Sequence, residues 1–216
     1  APAVKASLRR ASVLAVPSGF LREVFSAHGV QAEILPNVVD LQRFRPDDAV
    51  APAAAPHLLV ARNLEPLYDN ATAIRAFAEV HRHRPDARLT VAGTGPEAAA
   101  LQALARDLGV AQAVHFAGRV ERDGMAALYR RSSLSLNPSL ADNMPNSVLE
   151  SLASGVPVVS TRVGGVPYLV QDGVTALLVP PRDAAAMRDA VLRLLDDAPL
   201  HERLRRNGLA EVQRYT

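Results

Sequence analysis

The sequence predicts an α/β fold built on a doubly wound, Rossmann-like parallel sheet with helices on both faces. From about residue 57 onward, short β-rich apolar runs alternate with amphipathic segments of helical periodicity. The β runs are nearly continuous in apolar residues, which is typical of strands buried on both faces. The alternation of strand and helix implies right-handed crossovers between parallel strands. Ligands of such sheets bind at the carboxyl ends of the strands.

The main sheet is predicted to contain six strands separated by helices. The strands are expected at residues 57–61, 88–92, 113–117, 134–137, 157–160 and 176–179. The helices are expected from residue 69 or 70 to residue 84, and at residues 96–108, 123–131, 147–154, 183–197 and 200–214. Either Asp69 or Asn70 can cap the first helix, and Pro85 ends it. Pro96 suits the first turn of the second helix, and Gly109 follows its end.

Residues 1–45 do not obviously belong to that sheet. Short strands at residues 13–17 and 33–36 are predicted to flank a helix near residues 19–28. The tract at residues 46–56 is rich in alanine and proline and is predicted to be a linker. The predicted organisation is therefore a separate piece at residues 1–45, the linker, and the sheet domain at residues 57–216.

Composition excludes several kinds of site and partner. The 216 residues contain no cysteine, which excludes disulfides, thiolate metal sites and cysteine nucleophiles. Lys5 is the only lysine, so neither a Schiff-base lysine nor a Walker-type phosphate loop is expected. The net charge is +2 and aromatic residues make up 4%, so nucleic acid is not an expected partner. No run approaches the ~18 apolar residues of a membrane span. No signal peptide is recognised either, and a cytoplasmic location is expected.

The segment at residues 137–167 concentrates the residues that suit chemistry. Two carboxylates, Asp142 and Glu150, follow its first predicted strand. A helix is predicted to begin near Ser147, where free N–H groups and the helix dipole favour an anion. Gly164-Gly165 follow the next strand at the same edge, where backbone can approach a ligand closely. Acids, a helix N-terminus and a glycine loop at one edge suit a polyhydroxylated, phosphorylated ligand.

Structural roles can explain the same residues without a ligand. Ser147 and Glu150 match a capping box, which would serve only to start the helix. Asp142 suits a turn. The loop at residues 93–95 follows a strand and opens a helix, which fits either phosphate binding or a tight strand-to-helix turn.

Six motifs resemble the C-terminal portion of group 1 (family 4) retaining glycosyltransferases, which have the two-domain GT-B fold. The motifs are ILPNVVD and RFRP at residues 34–40 and 43–46, VAGTGPE at 91–97, VHFAGRV at 114–120, DNMPNSVLE at 142–150, GGVP at 164–167 and DGVTALLVPP at 172–181. They occur in the family's order along almost the whole chain. The resemblance implies that residues 57–216 are the nucleotide-sugar-binding, C-terminal half of a GT-B architecture.

The family's residue roles transfer by position. The family's second acid, here Glu150, grips the ribose of the donor nucleotide, and its first acid, here Asp142, contacts the transferred sugar. Arg62 matches the arginine that stabilises the departing diphosphate. Backbone amides around Met144, Pro145, Asn146 and Ser147 would meet the donor's sugar and phosphates. Residues near Gly118, Arg119 and Val120 would lie beside the base. Such enzymes usually need no metal or other cofactor, and the sequence offers no metal-ligand cluster.

The chain also departs from the family's pattern. Asp142 is one methylene shorter than the usual glutamate, and residues 63–70 lack the cation that the family usually has after its arginine. Pro145-Asn146 replaces a Gly-Leu pair, Tyr168 replaces the acid of a GGxPE motif, and Ala176 replaces a glycine. These departures fit a divergent donor specificity or a weakened enzyme. The alternative is a non-catalytic nucleotide- or partner-binding module on the same fold.

The resemblance implies partners as well. A UDP- or GDP-linked sugar is the expected donor, and the expected partner is an N-terminal domain of the same protein, of which residues 1–45 would be the tail and hinge. Polysaccharide or glycolipid assembly is the family's common role, which allows peripheral membrane contact by the full-length protein. Catalysis in the family occurs between the two domains, so this chain alone is not expected to transfer sugar.

Overall fold

A six-stranded parallel sheet forms the centre of the molecule. The computed structural model describes residue 8, residues 11–47 and residues 55–216. The sheet strands are β3 (His57–Ala61), β4 (Arg88–Ala92), β5 (Val114–Gly118), β6 (Leu134–Asn137), β7 (Val158–Thr161) and β8 (Leu177–Val179). Their order is β5-β4-β3-β6-β7-β8, and every neighbouring pair is parallel. The chain thus runs from the centre to one edge, returns, and runs to the other, so the topological switch point lies between β3 and β6.

Helices cover both faces of this sheet. After α1 (Gly19–Ala27), described below, they are α2 (Asn70–His83), α3 (Ala98–Asp107), α4 (Arg122–Arg131), α5 (Asn146–Ala153), α6 (Val166–Leu169), α7 (Ala184–Asp196) and α8 (Ala198–Glu211). Alternate residues of a strand face opposite layers. Leu58 accordingly packs in the cluster beneath α2, α3 and α7, and Leu59 in the cluster beneath α4 and α5. Both leucines are fully buried. The predicted doubly wound α/β fold is confirmed.

The predicted strands of the main sheet match the observed ones to within one residue at each end, whereas the strands predicted at residues 13–17 and 33–36 are shorter in the structure, at Ala15–Val16 and Glu33–Ile34. Two short elements were not predicted. One is the single 3-10 turn at Pro66–Tyr68, and the other is α6. The last helix begins at Ala198, because the Asp197 side chain caps it by accepting from the Leu200 N–H at 2.9 Å. It ends at Glu211 and continues as a 3-10 turn at Val212–Arg214.

A small parallel pair precedes the main sheet. Strands β1 (Ala15–Val16) and β2 (Glu33–Ile34) flank α1, whose N-cap Ser18 accepts from the Leu21 N–H at 3.2 Å. The next segment joins the main core: Val39 and Phe44 are buried within the cluster beneath α4 and α5. Most of the predicted linker, at residues 48–54, lies outside the described residues. The predicted domain boundaries stay predictions.

Candidate functional site

The switch point carries an open cavity of about 440 Å³. Strands β3 and β6 pair side by side, and the chain leaves β3 towards β4 on one side and β6 towards β7 on the other, which is where such sheets bind ligands. The residues lining the cavity come from the ends of β3, β4 and β5, the 3-10 turn at Pro66–Tyr68, α4 and the first turns of α5: Ala61, Arg62, Asn63, Tyr68, Ala92, Gly93, Thr94, Arg119, Val120, Met125, Asn146, Ser147 and Glu150. The volume falls within the range of small-molecule sites.

Arg62 follows β3 directly and lies in the wall of this cavity, where three side chains contact its guanidinium. Its Nη2 donates to Asp142 Oδ2 at 2.5 Å, and its Nη1 donates to Ser147 Oγ at 3.3 Å. The ring of Tyr68 lies 4.0 Å from the guanidinium carbon. The Arg62 and Asp142 side chains are each only 10% exposed. Arg62 Nε is buried and has no hydrogen-bond partner among the described residues.

Asp142 lies in the loop between β6 and α5, residues 138–145, here called the acid loop. Its carboxylate accepts from Arg62 and from the Asn143 N–H at 3.0 Å. The Gly165 N–H donates to the Asp142 carbonyl at 3.0 Å. The structure therefore contains a buried ion pair at the position where the sequence predicted a sugar contact or a turn. Asp142 is not among the described residues that line the cavity.

Glycines let neighbouring loops approach the acid loop and the arginine loop, residues 62–69. A Cβ on Gly165 would lie 2.1 Å from the Asn143 carbonyl oxygen, and one on Gly93 would lie 2.1 Å from the Arg62 carbonyl oxygen. The glycines at residues 164–165 were predicted to allow close approach of a ligand. In the structure they pack against backbone of the acid loop. The loop at residues 93–95 likewise packs against the arginine loop, which favours its structural explanation.

Glu150 projects from α5 and is held by a buried tyrosine. Tyr129 Oη lies 3.2 Å from Glu150 Oε2 and 3.1 Å from the Ser147 carbonyl oxygen, so its proton can reach either acceptor. Burial raises the pKa of the Glu150 carboxyl, while the Tyr129 hydrogen bond and the charge of Arg122 lower it. Burial, together with the neighbouring Glu150, raises the pKa of the Tyr129 phenol well above its ordinary value.

The capping-box explanation of Ser147 and Glu150 is wrong. Helix α5 begins at Asn146, with Pro145 as its N-cap, and no side chain caps it. Ser147 therefore lies inside the first turn, where its Oγ faces Arg62 and not a backbone N–H. Glu150 is bonded to Tyr129. Proline suits this boundary because it needs no partner for a backbone N–H.

The other predicted donor-binding residues divide into two groups. Arg119, Val120, Asn146 and Ser147 line the cavity, and Gly118 ends β5 with a φ of +65°. Met144 and Pro145 are buried and are not among the cavity-lining residues described. The Met144 carbonyl instead accepts from Asn37 Nδ2 at 2.8 Å. The ligand-binding role of every residue in both groups stays a prediction.

Two tyrosines at this site were not predicted from the sequence. Tyr68 contacts Arg62 from within the segment noted for its missing cation, so that departure was the available signal. Tyr129 lies on α4, 21 positions before Glu150, and only the tertiary structure brings the two together.

The described residues contain neither a metal-ligand cluster nor a membrane-spanning helix. No three His, Asp or Glu side chains of the described residues come together in a way that could hold a metal ion. The expectation of a metal-independent site stays a prediction. Within the same part of the chain, no helix has both the length and the apolar character needed to cross a bilayer.

Comparison with known proteins identifies relatives of the chain. The D-inositol 3-phosphate glycosyltransferase of Acidothermus cellulolyticus is 35% identical over 211 residues, covering 90% of this chain and 47% of that protein. The GDP-mannose-dependent alpha-(1-6)-phosphatidylinositol monomannoside mannosyltransferase of Mycolicibacterium smegmatis is 35% identical over 218 residues, covering 91% and 57%. The chain thus spans about half the length of these relatives.

A solved structure and a family model also match the chain. Anabaena HepE, solved in complex with UDP and glucose, superposes with a TM-score of 0.89 at 19% identity. The match covers 99% of this chain and 61% of that one, and it shows the fold alone. The family model described as "Glycosyl transferases group 1" matches residues 55–197. The chain therefore belongs to the group 1 glycosyltransferase family.

Proposed function

We propose that this chain is the donor-binding half of a retaining glycosyltransferase that uses a UDP- or GDP-linked sugar. One observation supports the proposal most strongly: a single cavity at the switch point has the Arg62 guanidinium, the first turn of α5 and the Glu150 carboxylate in its wall. These groups suit a diphosphate and a ribose. GDP-mannose dependence in the mycobacterial relative and UDP bound to HepE support nucleotide donors of these two types.

Each group has a defined task in this proposal. Negative charge builds on the diphosphate as the glycosidic bond breaks, and Arg62 with the first amides of α5 would stabilise that charge. The Glu150 carboxylate would accept hydrogen bonds from the ribose hydroxyls. Asp142 would contact the transferred sugar, and Arg119 and Val120 would lie beside the base. No metal is assigned a role.

Nucleotide binding to the 216-residue chain tests the proposal. Titration calorimetry or ligand-observed NMR with UDP, GDP and ADP is expected to show binding in the submillimolar to millimolar range for one of the uridine or guanosine nucleotides. Glu150→Ala should abolish it, because the ribose loses its acceptor. Glu202→Ala, which removes an exposed carboxylate that pairs with Arg205, should leave it unchanged. If none of the three nucleotides binds, the proposal fails.

The remainder of the reaction belongs to the full-length protein. We infer that an N-terminal domain supplies the acceptor site, that the acceptor belongs to polysaccharide or glycolipid assembly, and that the protein acts in the cytoplasm or at its membrane surface. The two relatives' acceptors, an inositol phosphate and a phosphatidylinositol mannoside, support an acceptor of that type.

A non-catalytic module is the second candidate, and the charge balance of the cavity favours it. Residues 63–70 contain no cation, and Asp142 already pairs with Arg62. Such a module would bind a nucleotide or a partner without turnover. Sugar transfer by the full-length protein would exclude it.

A further inference from the structure

The charge of Arg62 in the cavity wall is already partly compensated within the protein. Both terminal nitrogens of Arg62 have protein partners, and its charge is offset by Asp142 at 2.5 Å. The arginine loop adds no second cation. The other cation in the wall, Arg119, pairs with Glu121 at 3.1 Å and lies on the side that the proposal assigns to the base. A diphosphate beside Arg62 therefore needs neutral hydrogen-bond donors in addition to positive charge.

Tyr68 is placed to be one of those donors. It ends the 3-10 turn that begins at Pro66, and its side chain lines the cavity. The turn is anchored on two sides: the Leu140 N–H donates to the Leu67 carbonyl at 2.8 Å, and Asn70 Nδ2 donates to the Asn63 carbonyl at 2.9 Å. These bonds tie the arginine loop both to the acid loop and to the first residue of α2, so the ring has a fixed support.

The two ends of the Tyr68 side chain face different chemistry. Its ring stacks on the Arg62 guanidinium at 4.0 Å, a distance at which a cation–π contact is favourable. Its phenolic oxygen has no hydrogen-bond partner among the residues that the structure describes, although the side chain is only partly exposed. A phenol is both a donor and an acceptor, and an O–H that donates to a phosphate oxygen makes a strong, charge-assisted bond.

We propose that Tyr68 is a diphosphate-binding residue that takes over the task of the absent cation: its ring holds Arg62 in place and its O–H donates to a diphosphate oxygen of the donor. This assignment rests on the proposed nucleotide-sugar site. A monophosphate extends less far along the wall formed by Arg62 and Tyr68. The phenol should therefore contribute to the preference for nucleoside diphosphates over monophosphates.

Three variants separate the two contributions of Tyr68. Tyr68→Phe keeps the stacking ring and removes the hydroxyl, Tyr68→Ala removes both, and Tyr215→Phe removes a phenol that lies beside Glu211 instead. NMR titrations of the 216-residue chain with UDP, UMP, GDP and GMP give the affinity ratio of diphosphate to monophosphate for each variant. Circular dichroism and thermal unfolding check that each variant is folded.

The expected results follow from the roles assigned. Tyr68→Phe should weaken binding of the preferred diphosphate about tenfold and lower its preference over the monophosphate by a similar factor, because a bond to a charged oxygen is lost. Tyr68→Ala should weaken it further, since Arg62 also loses its support. Tyr215→Phe should match the unsubstituted chain.

Two outcomes would contradict the assignment in distinguishable ways. If Tyr68→Phe retains the affinity and the diphosphate preference of a chain that binds nucleotides, the hydroxyl does not contact the diphosphate, and only the assignment of Tyr68 fails. If the unsubstituted chain binds none of the four nucleotides, the nucleotide site and the assignment of Tyr68 fail together.

Discussion

Glu150, in the wall of the cavity, carries a charge whose burial has a cost in stability. Its carboxyl is held away from water on α5, so burial raises its pKa, and the Tyr129 hydrogen bond and the Arg122 charge offset that effect only in part. Because the net effect is a raised pKa, the charged form of this carboxyl is less favourable in the folded protein than in the unfolded chain at neutral pH. Functional sites commonly retain such costs.

Glu150→Gln is therefore expected to stabilise the fold at neutral pH. The folded-state pKa of Glu150 is raised, so the charged carboxylate destabilises the fold fully at pH values above that pKa. This destabilisation disappears below the ordinary pKa of a glutamate, about 4.3, where the carboxyl is neutral in both states. Glutamine avoids the cost and can still accept from Tyr129. Thermal unfolding should show a higher Tm for the variant at pH 7, and the difference should vanish as the pH falls below about 4. An equal Tm at pH 7 would contradict this reasoning.

At the same scale, sequence and structure contributed different residues to the site. Asp142 and Glu150 were identified from their place after a predicted strand and Arg62 from its match to the family, and in the structure Arg62 and Glu150 line the cavity while Asp142 pairs with Arg62. Tyr68 and Tyr129 were not identified, because a tyrosine on a helix or in a turn has no distinctive pattern. Their partners are determined by which faces of separate elements meet, and that is tertiary information.

Loops at the carboxyl edge of the sheet are supported by their neighbours' backbones. Gly165 has a φ of −85°, which any residue can adopt, so only space requires glycine there. A Cβ would lie 2.1 Å from the Asn143 carbonyl oxygen in the acid loop. The glycine therefore determines the position of the loop that carries Asp142, and Asp142 in turn positions Arg62.

Gly165→Ala is expected to displace the acid loop and to abolish nucleotide binding, with a loss of about 1–3 kcal/mol in the free energy of unfolding from overpacking. Gly109→Ala is the matched control. Gly109 has a φ of +73° and open space around it, so alanine there costs about 1–2 kcal/mol of backbone strain without moving a loop of the site. Denaturant unfolding and nucleotide titration measure both effects. Equal nucleotide binding by the two variants would show that the acid loop does not depend on Gly165.

The elements of the sheet were predictable for a physical reason, and the short turns were not. Strands buried on both faces need continuous apolar runs, as in HLLVA of β3, and such runs are visible in sequence. The Pro66–Tyr68 turn has three residues and α6 has four, so both are too short to show helical periodicity in the sequence. The start of α5 was misplaced by one residue, because Ser147 matches a capping box so well.

On the scale of the whole molecule, the segment before the main sheet is connected to the acid loop. Ser18 Oγ donates to Asn143 Oδ1, and Asn37 Nδ2 donates to the Met144 carbonyl at 2.8 Å. Val39 joins the far end of the chain, where its N–H donates to the Tyr215 carbonyl at 2.8 Å. Ser18 and Asn37 of this segment thus support the acid loop at Asn143 and Met144. A second domain joined to this segment would be coupled to the donor site through these bonds.

The 216-residue chain is expected to bind a nucleotide sugar without transferring the sugar. The relatives that it matches are about twice as long, and transfer requires an acceptor held within about 3–3.5 Å of the reacting carbon. Release of UDP or GDP from the sugar nucleotide, measured with candidate acceptors such as inositol phosphate, should stay at the uncatalysed rate, although titration shows binding. The full-length protein under the same conditions is the control and should turn over. Acceptor-dependent release by the 216-residue chain would mean that the groups already described around Arg62 and Glu150 suffice for transfer.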